Sequence, residues 1–115
     1  MPPKNNPLKL NPLQLKTLAL MQLLAKLPDF ARPAESEGEI LIADFPHPHG
    51  DHFHLGPYTV SSRDASGLAN EAAWAALERK GLIRARFPFA CILTAAGLAY
   101  DTGLGASTLH THAHH

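Results

Sequence analysis

Apolar positions along the chain fall into blocks separated by Pro, Gly and polar runs. In LQLKTLALMQLLAKL, residues 13 to 27, leucines recur at helical spacing with no breaker before Pro28. Asn11 is a good N-cap and Pro12 suits the first helical position, so the pattern predicts a helix over about 12 to 27. Leu13, Leu20, Met21, Leu23, Leu24 and Leu27 form one stripe, whereas Leu15 and Leu18 fall opposite, among Gln14, Gln22 and Lys26. A helix apolar on two sides is either central to its fold or shared with a second subunit, which brings in a homodimer as a candidate assembly.

Residues 28 to 38, PDFARPAESEG, read as an acidic, Pro-containing connection. EILIADF (39 to 45) has strand length, and HFHLGPYTV (52 to 60) partly alternates, which predicts two extended segments with the histidine-rich stretch in or beside the turn between them. After the polar SSRDAS, residues 67 to 80 are rich in helix formers and end at Gly81, a residue suited to the left-handed stop position. LIRAR and ACILT read as two short strands joined through Pro88, and Thr94 caps a last short helix in AAGLAY. The expectation is a small α/β domain of the α+β kind over residues 11 to 102, with a flexible arm over 1 to 10 and a disordered His-rich tail over 103 to 115.

Composition narrows the function classes. At 115 residues the chain suits one core, and 45% hydrophobic with 17% charged residues places it with globular rather than disordered sequences. No apolar run has the ~18 residues that span a bilayer, so no membrane partner is expected and the cytoplasm is the expected location. The single cysteine, Cys91, excludes an intramolecular disulfide and sits in apolar ACILT, where an inert buried thiol is expected. Net charge is zero but uneven: residues 1 to 28 carry four lysines and no acid, and residues 29 to 51 carry six acids against Arg32. Arg79, Lys80, Arg84 and Arg86 lie close together in sequence, so any anion-binding surface is local.

The segment ALERKGLIRARFPFACILTAAGLAY, residues 76 to 100, resembles the second half of a winged-helix domain. Leu77, Gly81, Leu82 and Ile83 match the Leu-x-x-x-Gly-Leu-Ile ending of that superfamily's recognition helix, and Leu93, Thr94 and Gly97 match the Leu-Thr-x-x-Gly that follows its wing. The stretch before the helix is shorter than the family's preceding helix, so a single turn around residues 62 to 66 is expected in its place. The resemblance implies duplex DNA binding in transcriptional control, with Ser62, Arg63 and Asn70 at the helix and Arg84 and Arg86 on the wing as contacts. An alternative follows from the helix, where the family pattern, with Ala73, Ala76 and Leu77 facing the core, implies that Asn70, Glu71, Trp74 and Glu78 face outward, Trp74 being otherwise a partly buried core residue. Carboxylates repel phosphate and an exposed Trp anchors protein interfaces. That alternative is a winged-helix module, an inhibitor or adaptor, that binds a protein partner through Glu71, Trp74 and Glu78 or through Leu15 and Leu18.

HPHGDHFH, residues 47 to 54, contains H-x-H-x-D-H, similar to the metal signature of metallo-β-lactamase-fold hydrolases. That fold needs further ligands on later loops, and no histidine lies between His54 and His110, so the match is coincidental. His47, His49, Asp51, His52 and His54 remain a candidate site for zinc or another divalent transition metal, the basis of a third reading as a metal-responsive regulator. No cofactor is required by any motif. Ser61, Ser62 and Ser66 lack a nucleophile elbow and no phosphate-binding glycine pattern occurs, so no enzymatic activity is expected.

Overall fold

The first helix, α1 (Pro12–Leu24), begins where the cap chemistry dictates: Asn11 Oδ1 accepts the Gln14 N–H at 2.8 Å and the Gln14 side chain accepts the Asn11 N–H at 3.0 Å. It ends three residues earlier than the leucine pattern predicts. Pro28 disfavours helical geometry at Leu27, and the chain leaves through two tightened turns, Lys26 N–H to Leu23 O and Leu27 N–H to Leu24 O. In this computed structural model, residues 6–45, 48–49, 52–55, 58–61, 65–104 and 112–113 are described.

Strands β1 (Ala31–Pro33) and β2 (Ile40–Ala43) form a hairpin whose turn uses Gly38 at φ +81°. The sequence pattern reads β1 as connection, because a three-residue segment with a proline carries no alternation. It is a strand only through its pairing with β2, at the sheet edge where Pro33 is tolerated. Three further short strands follow, β3 (Pro48–His49), β4 (His52–Leu55) and β5 (Tyr58–Ser61). A 3₁₀ turn (Ser66–Ala69) and helix α2 (Glu71–Arg79) then replace the continuous helix expected over 67 to 80. The interruption is Asn70, extended at φ −110° and ψ 103°, whose side chain accepts the Ala73 N–H at 3.1 Å and restarts the helix.

The last part contains β6 (Ile83–Arg86), β7 (Ala90–Leu93) and α3 (Ala95–Ala99), close to the bounds that the pattern predicts. Thr94 caps α3 through the Gly97 N–H at 3.1 Å and donates its hydroxyl to the Gly81 carbonyl at 2.8 Å. One antiparallel sheet has the order β1-β2-β7-β6; a second has the order β3-β4-β5-β8, where β8 is His112–Ala113. The molecule is thus a small mixed α+β protein.

A single apolar cluster joins α1, the 3₁₀ turn, α2 and the inward positions of the first sheet, including Ile42, Ile83, Cys91 and Leu93. Leu15 and Leu18, which the helical wheel places opposite the main stripe, are both buried in it. Helix α1 is therefore central to the fold, and these leucines present no face to a partner. Two close approaches hold the layers. A Cβ on Gly67 would lie 1.7 Å from Thr17 Oγ1, and one on Gly97 would lie 2.0 Å from the Leu82 carbonyl oxygen.

Residues 6 to 10 are docked rather than a free arm. Leu10 is buried, the Leu8 N–H donates to Tyr100 Oη at 3.2 Å, and Tyr100 donates to Asn6 Oδ1. Gln22 Nε2 on α1 donates to the carbonyls of Gly97 and Tyr100, at 2.8 and 2.9 Å. At the other end, Thr102 is buried and Leu104 packs on the cluster, so the fold extends slightly past the start of the expected tail. Residues 1 to 5 and 105 to 111 lie outside the described residues.

Candidate nucleic-acid interface

Helix α2 buries Ala73, Trp74, Ala76 and Leu77 and exposes Glu71, Ala72, Glu78, Arg79 and Lys80. The outward orientation expected for Trp74 is corrected: it is fully buried. Its indole stands between Phe45, at a ring separation of 5.2 Å, and Phe87, at 5.0 Å in an edge-to-face arrangement. Its Nε1–H donates to the Gly67 carbonyl at 3.1 Å, satisfying the one polar atom of the ring. Small residues at 73 and 76 leave room for a large ring at the margin of the buried stripe.

Glu78 is exposed, but its Oε2 accepts the Ala85 N–H at 2.9 Å. This amide belongs to β6, the outermost strand, and the carboxylate covers part of an edge that would otherwise be open to strand pairing. With Trp74, Leu15 and Leu18 buried and Glu78 engaged within the fold, only Glu71 of the residues assigned to a protein partner is both exposed and uncommitted among the described residues.

The DNA-contact candidates separate into three groups. Ser62 and Arg63 lie outside the described residues. Asn70 has its side-chain oxygen engaged in the cap of α2, so the bidentate amide geometry that reads an adenine edge is not free. Arg84 and Arg86 alternate with Ile83 and Ala85 along β6, which turns both guanidinium groups to solvent, away from the apolar cluster. Arg84 is held by Glu39 in a two-pronged ion pair, Nη1 to Oε2 at 3.0 Å and Nη2 to Oε1. Arg86 has no side-chain partner among the described residues.

The sequence pattern missed two participants. In the sequence Glu39 opens a strand-length run, and nothing local signals its pairing with a residue 45 positions away. Phe89, at the β6–β7 turn, is 78% exposed, while Phe87 two positions earlier packs on Trp74. The FPF motif thus has one ring in and one out.

Of the metal candidates, His47 and Asp51 lie outside the described residues. His49 lies on β3 and His52 and His54 on β4, with His49 and His52 as register partners. Among the described residues no group of three or more His, Cys, Asp or Glu is arranged to hold a metal ion. Likewise among these residues, no helix is long and apolar enough to cross a membrane.

By its elements this is a small α+β protein that presents a basic hairpin on the outer edge of an antiparallel sheet. Protein-family models, curated proteins and solved structures provide no match to the chain.

Proposed function

We propose that this chain is a winged-helix DNA-binding protein acting in transcriptional control, with the β6–β7 hairpin as its phosphate-contacting wing. The observation that carries this reading is Arg86: an exposed guanidinium on the edge strand, with no partner among the described residues, following the exposed Arg79 and Lys80 at the end of α2. The chain order supports it too, since a helix stopped at Gly81 leads into an antiparallel hairpin and then a Thr94-capped helix, as the resemblance implies. Exposed Ala72 and half-buried Ala75 give α2 a low-relief face, and alanine methyl groups suit contact with thymine methyls. Arg84 contributes only when it leaves Glu39, which places the charge of Arg86 first.

The test is anisotropy of a labelled mixed-sequence duplex titrated with the protein over a range of salt concentrations. Saturable binding that weakens steeply with salt supports the reading, and Arg86→Ala lowers the log–log salt slope by about one. No binding at low salt overturns it.

A metal-responsive role is a second reading, favoured by the register that makes His49 and His52 direct partners across β3 and β4. It predicts stoichiometric zinc uptake by calorimetry that is lost in His49→Ala. Uptake unchanged in that variant removes the reading.

A further inference from the structure

Phe89 is the one large hydrophobic side chain left exposed among the described residues, at 78%. It stands just beyond the last hairpin pair, Arg86 opposite Ala90, and its N–H closes the turn on the Arg86 carbonyl at 2.9 Å. The turn beneath it is anchored, because Phe87 is fixed edge-on against Trp74, which is itself clamped by Phe45 and the Gly67 carbonyl. The hairpin thus presents a bare aromatic ring at the tip of a supported ribbon, beside an arginine with no partner among the described residues. A lone protruding ring lacks the apolar surround of a protein-interface core, whereas a ring flanked by cationic charge matches the stacked bases and phosphates of a nucleic acid.

The geometry points to Phe89 as a base-stacking wedge: when the hairpin meets duplex DNA, the ring enters between two base pairs from the minor groove while Arg86 holds the adjoining phosphate. Unstacking one step this way kinks the duplex and selects flexible pyrimidine–purine steps, which gives a preference at a position without hydrogen-bond readout. This rests on the DNA-binding reading above.

The experiment uses duplexes carrying 2-aminopurine at successive positions, with anisotropy of the same duplexes measured in parallel. Wild type is compared with Phe89→Ala and Phe89→Leu, and each variant is checked by circular dichroism. The exposed ring lets both substitutions fold. The expected result is a rise in 2-aminopurine fluorescence at one step on wild-type binding, abolished in Phe89→Ala with affinity about tenfold weaker, and partly retained in Phe89→Leu. If wild type binds with no 2-aminopurine response, or Phe89→Ala binds and responds like wild type, the wedge is wrong and the DNA-binding reading stands. If wild type binds no duplex, both fail. A change in sedimentation coefficient in Phe89→Ala, with DNA binding and response unaltered, would instead assign the ring to self-association and overturn the wedge.

Discussion

At the scale of single residues, Trp74 is the side chain on which the folded arrangement most depends. It touches the segment that follows β2 through Phe45, the hairpin turn through Phe87 and the 3₁₀ turn through Gly67. Trp74→Ala is expected to destabilise by about 3–5 kcal/mol in urea unfolding, the usual range for emptying a buried aromatic site. Trp74→Phe retains ring contacts but loses the indole bond to the Gly67 carbonyl, which still accepts the Asn70 N–H, so a smaller loss of about 0.5–1.5 kcal/mol is expected. Cys91 behaves differently. Burial pushes its thiol up from the ordinary 9.0 to about 12. Because the folded pKa lies above the unfolded one, the contribution of the neutral thiol is complete below about pH 9 and is lost as pH rises through about 12. Alkylation by iodoacetamide at pH 8 should therefore be slow in the native protein and fast in urea. Equal rates in both would show that the thiol is accessible.

At the scale of elements, the two glycine contacts make opposite predictions about rescue. At Gly67 the obstructing atom belongs to a side chain, Thr17 Oγ1, whereas at Gly97 it is the Leu82 backbone carbonyl. Gly67→Ala should lower the melting temperature, and adding Thr17→Ala should recover part of the loss, a coupling that a double-mutant cycle reads directly. Gly97→Ala should be as damaging, with no single side-chain truncation able to relieve it. The elements also differ in how legible they are in the sequence. Helix starts at Asn11 and Thr94 and the stop at Gly81 are readable, because capping chemistry acts over three or four residues. The break at Asn70 was hidden by strong helix formers on both sides, and β1 has no local signature at all.

At the scale of the whole molecule, charge decides the candidate function. The Arg84–Glu39 pair ties the outer strand of the sheet to the residue preceding β2, with Arg84 half exposed and Glu39 largely covered. With its arginine open to solvent, the pair adds little to stability, so Glu39→Ala should leave the melting temperature nearly unchanged. The same substitution frees a guanidinium on the proposed DNA face and removes a carboxylate, and duplex affinity at low salt should rise. Affinity that stays constant would place Arg84 away from the nucleic acid. Intrinsic fluorescence is a poor reporter of such binding, since Trp74 is buried in the core; labelled DNA provides the signal instead.

What the sequence determined by itself is whatever depends on near neighbours. This includes the capped N-terminal helix, the Gly81 stop, the alternation that turns Arg84 and Arg86 outward from Ile83 and Ala85, and the inert setting of Cys91. Tertiary structure alone decided that Leu15 and Leu18 join the core, that Trp74 turns inward, that Arg84 is neutralised by Glu39 and that Phe89 is left bare. The physical reason is range. Caps and strand alternation act within a few residues, whereas burial and ion pairing are settled by partners that only the folded chain brings together. A wheel or an alternation pattern says which side chains share a face, but what covers that face is decided by the other elements.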